Sequence, residues 1–230
     1  MNRLLTVAEM TLRELLRRRG VLALMLLLPL TFYLIRRDAY VGQSVRSLML
    51  GISWAVSTAA LFATGAAREL EPRLRLAGYR PHHLYLGRML GLWAAGLAIA
   101  LPFFLIVVFD APGLRHGGVA AAMLCCVAIA PPLGILIGAL LPRELEGTLL
   151  LLVIVTVQML IDPAGTGAKL TPFWSSREIG TWAVDHTDDG YLTRGVAHGL
   201  VVTVGMIIAV AAVSSIRLRR RRHLRHLPVG

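Results

Sequence analysis

Two cysteines occur in 230 residues, Cys125 and Cys126, side by side in an apolar run. Adjacent cysteines do not bridge without strain, and this spacing makes neither a disulfide framework nor a zinc site. Buried, inert thiols are therefore expected. Charged residues are also few, at 16%, and long stretches have none. Several catalytic signatures are missing. There is no G-x-S-x-G elbow and no H-E-x-x-H zinc helix. Gly165-Thr166-Gly167-Ala168-Lys169 fails as a phosphate loop, because such a loop needs four residues between its glycines and a Ser or Thr after the lysine, where Leu170 stands here. Asp188-Asp189-Gly190 resembles a fragment of the acidic metal motifs of intramembrane phosphotransferases, but the rest of that pattern is absent. His82-His83 makes a poor chelate, since neighbours on a helix point about 100° apart. No nucleotide, metal or cofactor site is expected on this chain.

What the sequence does have is apolar length. Hydrophobic residues make up 56% and the mean hydropathy is +0.68. The apolar residues fall into blocks long enough to cross a bilayer, and little chain remains to fold in water. Six spans are expected: Val21–Ile35, Ser47–Ala67, Met89–Phe109, Gly117–Leu141, Gly147–Ile161 and Val196–Ile216. The first and fifth are short, and arginines flanking the first can snorkel to extend it. Pro29, Pro102 and the Pro131-Pro132 pair should kink their helices. None of the six spans holds Asp, Glu, Lys or Arg, which argues against proton-driven transport and suits a pathway for something apolar or amphiphilic.

Ahead of the first span, residues 1–19 pattern as an amphipathic helix. Leu4, Leu5, Ala8, Leu12, Leu15 and Leu16 share one arc, with Arg3, Glu9, Arg13, Glu14 and Arg17 outside it. Such a helix can lie in the membrane interface, apolar face down. A signal peptide is the poorer reading, because the basic region is too long and no small-x-small site follows Ile35. The fold class is thus an all-α integral membrane protein, one transmembrane domain over 1–230, with an N-terminal interfacial helix and six transmembrane helices.

Charge orients it. Six spans put both termini on one side, and that side holds 17 of the 24 basic residues and 6 of the 13 acidic ones. It carries the entire net charge of +11, and the other side sums to zero. The positive-inside rule then places both termini in the cytoplasm of a cell membrane, with the basic segment 217–230 as a cytoplasmic tail. Arg36-Arg37 is a local exception. The excess basic charge reads as topology and calls for no nucleic acid. Two segments between spans are long: 68–88, cytoplasmic and rich in Arg and Glu, and 162–195, external, with Trp174 and Trp182. Tryptophan favours the headgroup zone, so 162–195 is either a re-entrant or interfacial helix or an ordinary solvated loop with aromatic anchors.

The arrangement resembles the membrane subunits of type-two ABC exporters, whose ATPase is often a separate chain. The resemblance covers nearly the whole sequence. It is carried by the helix ending Leu15-Leu16-Arg17-Arg18-Arg19, by the run from Glu69 to Pro81 (ELEPRLRLAGYRP), by Leu86-Gly87-Arg88 entering the third span, and by Leu141-Pro142-Arg143-Glu144-Leu145-Glu146 between the fourth and fifth. Two features depart from the family: Pro72-Arg73 replaces the usual Gly-Thr, and Pro81 stands closer than usual to Gly87. The resemblance implies a permease with ABC ATPase subunits as partners, a second permease copy or a related chain beside it, and ATP and magnesium on the ATPase alone. It implies a cytoplasmic coupling segment in 68–83, with Glu69, Glu71, Arg73 and Arg75 as polar contacts, Leu74 and Leu76 as apolar ones, and Gly78 and Pro81 ending its helix; Arg143, Glu144 and Glu146 form a secondary contact. The cargo would be amphiphilic: a lipid, drug, peptide or glycan. The alternatives are an intramembrane lipid-modifying enzyme, with Asp185, Asp188, Asp189 and His186 as its only acidic cluster, and a non-transporting membrane scaffold.

Overall fold

The structure is a computed structural model that describes residues 2–37, 40–162 and 165–223, with side chains through Ile216. Asp38 and the tail from residue 224 onward, both used in the charge reading, lie outside the described residues. Eight α-helices follow in order: α1 Arg3–Arg17, α2 Arg19–Arg37, α3 Val41–Leu76, α4 Pro81–Asp110, α5 His116–Leu140, α6 Glu144–Leu160, α7 Trp174–Val184 and α8 Asp189–His223. A short 3-10 turn, Thr166–Leu170, precedes α7. No strand occurs among the described residues.

Five of these helices, α2, α3, α4, α5 and α8, are long and apolar enough to cross a membrane. The chain is a multi-pass membrane protein on that ground. The expected fifth span falls in α6, whose 17 residues rise only about 25 Å against a hydrocarbon core of about 30 Å. The expected second span falls within a longer helix. α3 has 36 residues, roughly 54 Å of helix, and runs through Pro72 to Leu76 without a break. Residues 68–88 are therefore the two ends of α3 and α4 with a tight turn between them, in place of a separate helix on a connecting loop.

Layering follows from apolar coverage. In α3 and α5, 78% and 67% of the most apolar stretch is buried, against 17% in α2 and 11% in α8. α3 and α5 thus form the centre, and the outer helices present apolar side chains outward, as lipid-facing helices must. α3 and α5 run parallel in direct backbone contact. A Cβ on Gly134 would stand 2.0 Å from the Ser57 carbonyl oxygen, and one on Gly138 would stand 3.0 Å from Thr64 Cβ. The same spacing recurs twice. Gly87 and Gly91 of α4 abut α1, where added Cβ atoms would each meet a backbone carbonyl at 2.7 Å, those of Leu4 and Ala8. Gly195 and Gly199 of α8 abut α7 at Ile179 and Ser175. Small residues four apart let helices meet without a side chain between them, the usual solution where no hydrophobic force joins helices within lipid.

The Pro131-Pro132 pair stays inside α5. Pro132 has no N–H to give the Ala128 carbonyl, and a buried unpaired carbonyl is costly. The Trp93 indole N–H from α4 donates to that oxygen at 3.1 Å, and Ser57 Oγ donates to the Ala130 carbonyl at 3.1 Å. α1 packs as a protein helix more than expected. Val7, Ala8, Thr11 and Leu15 are buried, while Leu5 and Leu16 of the same apolar arc are 62% and 65% exposed. The arc is shared between α4 and the surroundings.

Gly134→Ala should therefore destabilise the protein by about 1–3 kcal/mol through overpacking. Gly205→Ala should be neutral, because nothing lies within 4 Å of its added methyl. Thermal unfolding in an uncharged detergent separates the two; equal melting temperatures would contradict the close-approach account.

Candidate functional site

Two places concentrate polar chemistry, one at each end of the bundle. At the first, α3 turns into α4. The Gly78 N–H donates to the Arg75 carbonyl at 3.0 Å and the Tyr79 N–H to the Leu74 carbonyl at 3.1 Å. With Gly78 at φ +84°, this is a complete Schellman cap, and the left-handed residue is the glycine that can adopt it. Pro81 then begins α4, where a missing N–H costs nothing. Arg3 of α1 reaches the turn, donating to the Gly78 carbonyl and placing its guanidinium 5.6 Å from the Tyr79 ring centroid.

The same end holds the α5–α6 corner. Arg68 donates to the carbonyls of Gly138, Leu141 and Pro142. A cation on the last carbonyls of α5 satisfies groups that have no helical partner and opposes the negative end of the helix dipole. Glu144 lies against Gly65, where a Cβ would meet Oε1 at 2.2 Å. Arg143 pairs with Glu146 at 2.7 Å, three residues on. The expected primary and secondary coupling residues thus come together on one end of the molecule, joined by Arg68.

Not all of them face outward. Glu69, Arg73 and Gly78 are exposed, and Leu74, Arg75 and Pro81 are half-buried. Glu71 is buried and accepts from Arg88 Nη2 at 3.3 Å, both side chains under 10% exposed. Glu71 is therefore corrected from surface contact to internal partner: α3 and α4 face each other there, and each charge needs the other. Leu76 is 71% exposed and Leu70 41%, so Leu76 is a more available apolar anchor than Leu74.

At the opposite end, the described residues of 162–195 fold around α7 and are no solvated loop. Seven residues of the 11-residue α7 are buried, Trp174 among them. Trp174 packs edge-on to His198 at 5.0 Å between centroids. Trp182 donates to Asp189 Oδ1 at 2.9 Å and lies under the Arg115 guanidinium, 4.5 Å from its centroid. The segment is tied down further by Arg46–Asp185 and by Arg194–Glu178 at 3.2 Å. Asp188 accepts from the Gly190 N–H at 2.8 Å. Every carboxylate of the acidic cluster at 185–189 therefore has a structural partner, and among the described residues no group of three or more His, Cys, Asp or Glu is placed to hold a metal ion.

Beside α7 lies a cavity of about 770 Å³, walled by α3, α6, α7, the start of α8 and the end of α2. Arg36, Arg46, Lys169, Arg177 and Arg194 line it against Glu178 and Asp185. Arg177 donates to the Ile161 carbonyl at 3.4 Å, and Glu178 and Asp162 lie near enough to favour its charge. Burial, with Arg46 close by, lowers its guanidinium pKa below the ordinary arginine value. The cavity could not be read from the sequence, because its basic residues come from segments up to 158 positions apart.

Glu71→Ala should cost about 3–5 kcal/mol by leaving Arg88 buried and alone, whereas Glu69→Ala should stay within about 0.5 kcal/mol. Detergent melting curves of the two variants make the comparison; equal effects would return Glu71 to the surface.

No family model matches this sequence, and no curated protein matches it.

Proposed function

We propose that the chain is the permease subunit of an ATP-binding-cassette exporter of the type-two kind, powered by a separate ATPase. One observation carries the reading: the α3–α4 hairpin is closed by a complete cap and lies at the end where the α5–α6 corner also lies. A roughly 54 Å helix whose core packs on α5 and whose tip is pinned to α1 can carry a push at the tip into the bundle as rigid-body motion. The tip offers what a soluble motor could grip: exposed Glu69 and Arg73 for orientation, and Leu76 as an apolar anchor. In this reading α6 is the fifth of six spans, α1 sits at the interface with Leu5 and Leu16 toward lipid, both termini are cytoplasmic, and two permease chains enclose the pathway. The lipid-enzyme reading is weaker, because its acidic cluster is occupied by Arg46, Trp182 and a backbone N–H.

Topology is the first test. In a background with both native cysteines replaced by alanine, a single cysteine at Tyr40 or Leu170, 74% and 88% exposed, should react with an impermeant maleimide from outside. One at Arg73 or Arg143 should react only after permeabilisation. Outside labelling at Arg73 would end the six-span reading.

Coupling is the second. A buried apolar anchor carries about 2 kcal/mol, roughly thirtyfold in affinity. Leu76→Asp should thus abolish co-purification of the ATPase, Leu74→Asp should weaken it and also loosen the turn, and Arg73→Ala should chiefly slow association. Full complex formation and export by Leu76→Asp would reduce the hairpin to a connector.

A further inference from the structure

We propose that the cavity beside α7 binds the phosphate-bearing headgroup of an anionic amphiphile. Five basic side chains against two acidic ones leave a formal excess of three positive charges on the cavity wall. Two of the basic residues, Arg46 and Arg194, are spoken for by Asp185 and Glu178. Lys169 and Arg177 make no ion pair among the described residues. Elsewhere in the protein the comparable cations have internal work: Arg68 caps α5, Arg88 meets Glu71, and Arg37 binds Asp110. Here basic side chains outnumber acidic ones on one concave wall, an arrangement that focuses a positive field and attracts an anion.

The chemistry of the wall narrows the ligand. Arginine dominates the cations of the wall, with four guanidinium groups and one ammonium, so the donors it offers suit an oxyanion. The cations approach from α2, α3, the 3-10 turn, α7 and α8. A planar carboxylate offers two acceptor oxygens in one plane, whereas a tetrahedral phosphate offers acceptors in several directions and suits a ring of guanidinium donors. A volume of about 770 Å³ is far more than a bare phosphate fills. The surroundings supply a place for a tail: Met159 of α6 lines the cavity, and Val157, Met159 and Leu160 on that helix are 44%, 48% and 80% exposed. Headgroup in the basic cavity and chains along the outer face of α6 is the pose this allows. It disfavours a cationic drug or a neutral glycan. That this amphiphile is the exported cargo rests on the permease reading; that it binds does not.

The test uses the full chain alone, purified in dodecyl maltoside, so that no ATPase is involved. Titration calorimetry compares dihexanoylphosphatidylglycerol, dihexanoylphosphatidylcholine and sodium phosphate. The anionic lipid should bind at least about tenfold more tightly than either of the others, since charge-assisted hydrogen bonds go to a net anion. Lys169→Gln with Arg177→Gln, which leaves both ion pairs intact, should weaken the anionic lipid at least about tenfold and leave the melting temperature unchanged. Lys169→Arg with Arg177→Lys should bind as the parent does. Equal binding of the two lipids, or undiminished binding by the glutamine pair, would overturn the proposal. Sodium phosphate binding as tightly as the anionic lipid would also overturn it, in favour of a free-anion site. If the glutamine pair does not fold, the comparison of the three ligands on the parent chain still decides. Intact lipid binding with no ATPase partner would remove only the permease reading.

Discussion

Where α5 crosses α3, the Ser57 carbonyl oxygen occupies the space that a side chain on Gly134 would need, 2.0 Å from its would-be Cβ. The rest of the bundle is arranged around that approach. Helices in lipid gain little from hiding apolar surface, because lipid chains are as apolar as leucine, so contact area and backbone proximity must hold them. Gly87 and Gly91 bring α1 onto α4 in the same way, and Gly195 and Gly199 bring α7 onto α8. Each pair seats one of the elements that does not itself span: α1 at the hairpin end, α7 at the cavity end. The two candidate sites are built on those seated elements.

Close approach has a second consequence, since it leaves each backbone polar group either paired within its own helix or needing help from a neighbour. Pro132 removes the partner of the Ala128 carbonyl, and Trp93 replaces it at 3.1 Å. α5 ends without further turns for its last carbonyls, and Arg68 supplies donors to two of them, Gly138 and Leu141, and to Pro142 just beyond. These bonds join α4 to α5 and α3 to the α5–α6 corner. The buried Glu71–Arg88 pair adds orientation more than stability, because burying two charges costs nearly what their attraction returns.

Periodicity and apolar length made the all-helical membrane fold and the positions of the long helices legible, and the Gly78 and Pro81 signals marked the hairpin turn correctly. Helix ends were less legible. The charges from Arg68 onward end the expected second span at Ala67, yet α3 continues for nine more residues through Pro72, because beyond the apolar zone a helix needs only hydration or a partner. Glu71 read as a surface charge, since nothing local distinguishes it from Glu69; its partner Arg88 is 17 positions away and on the next helix. The paired glycines were in plain view as G-x-x-x-G spacings at 87–91, 134–138 and 195–199, a signal that sequence alone could have used. Arg46–Asp185, 139 positions apart, had no such signal.

The segments on the cavity side of the spans sum to zero net charge, which suggests a neutral face. A sum over sequence hides where the charges meet. Asp110 is drawn to Tyr33 and Arg37 at the end of α4. Asp188 is turned to the Gly190 N–H and Asp189 to the Trp182 indole. Three carboxylates are thus spent on fixing backbone and aromatic rings, away from the cavity. Five of the basic residues on that side converge on the cavity with two acids among them. Fields act over roughly a Debye length, about 8 Å at physiological salt, and less screened still inside a concave wall. A face that is neutral by count is therefore locally cationic by fold. The Arg36-Arg37 exception to the positive-inside pattern has the same origin: Arg37 is neutralised by Asp110, and Arg36 belongs to the cavity wall.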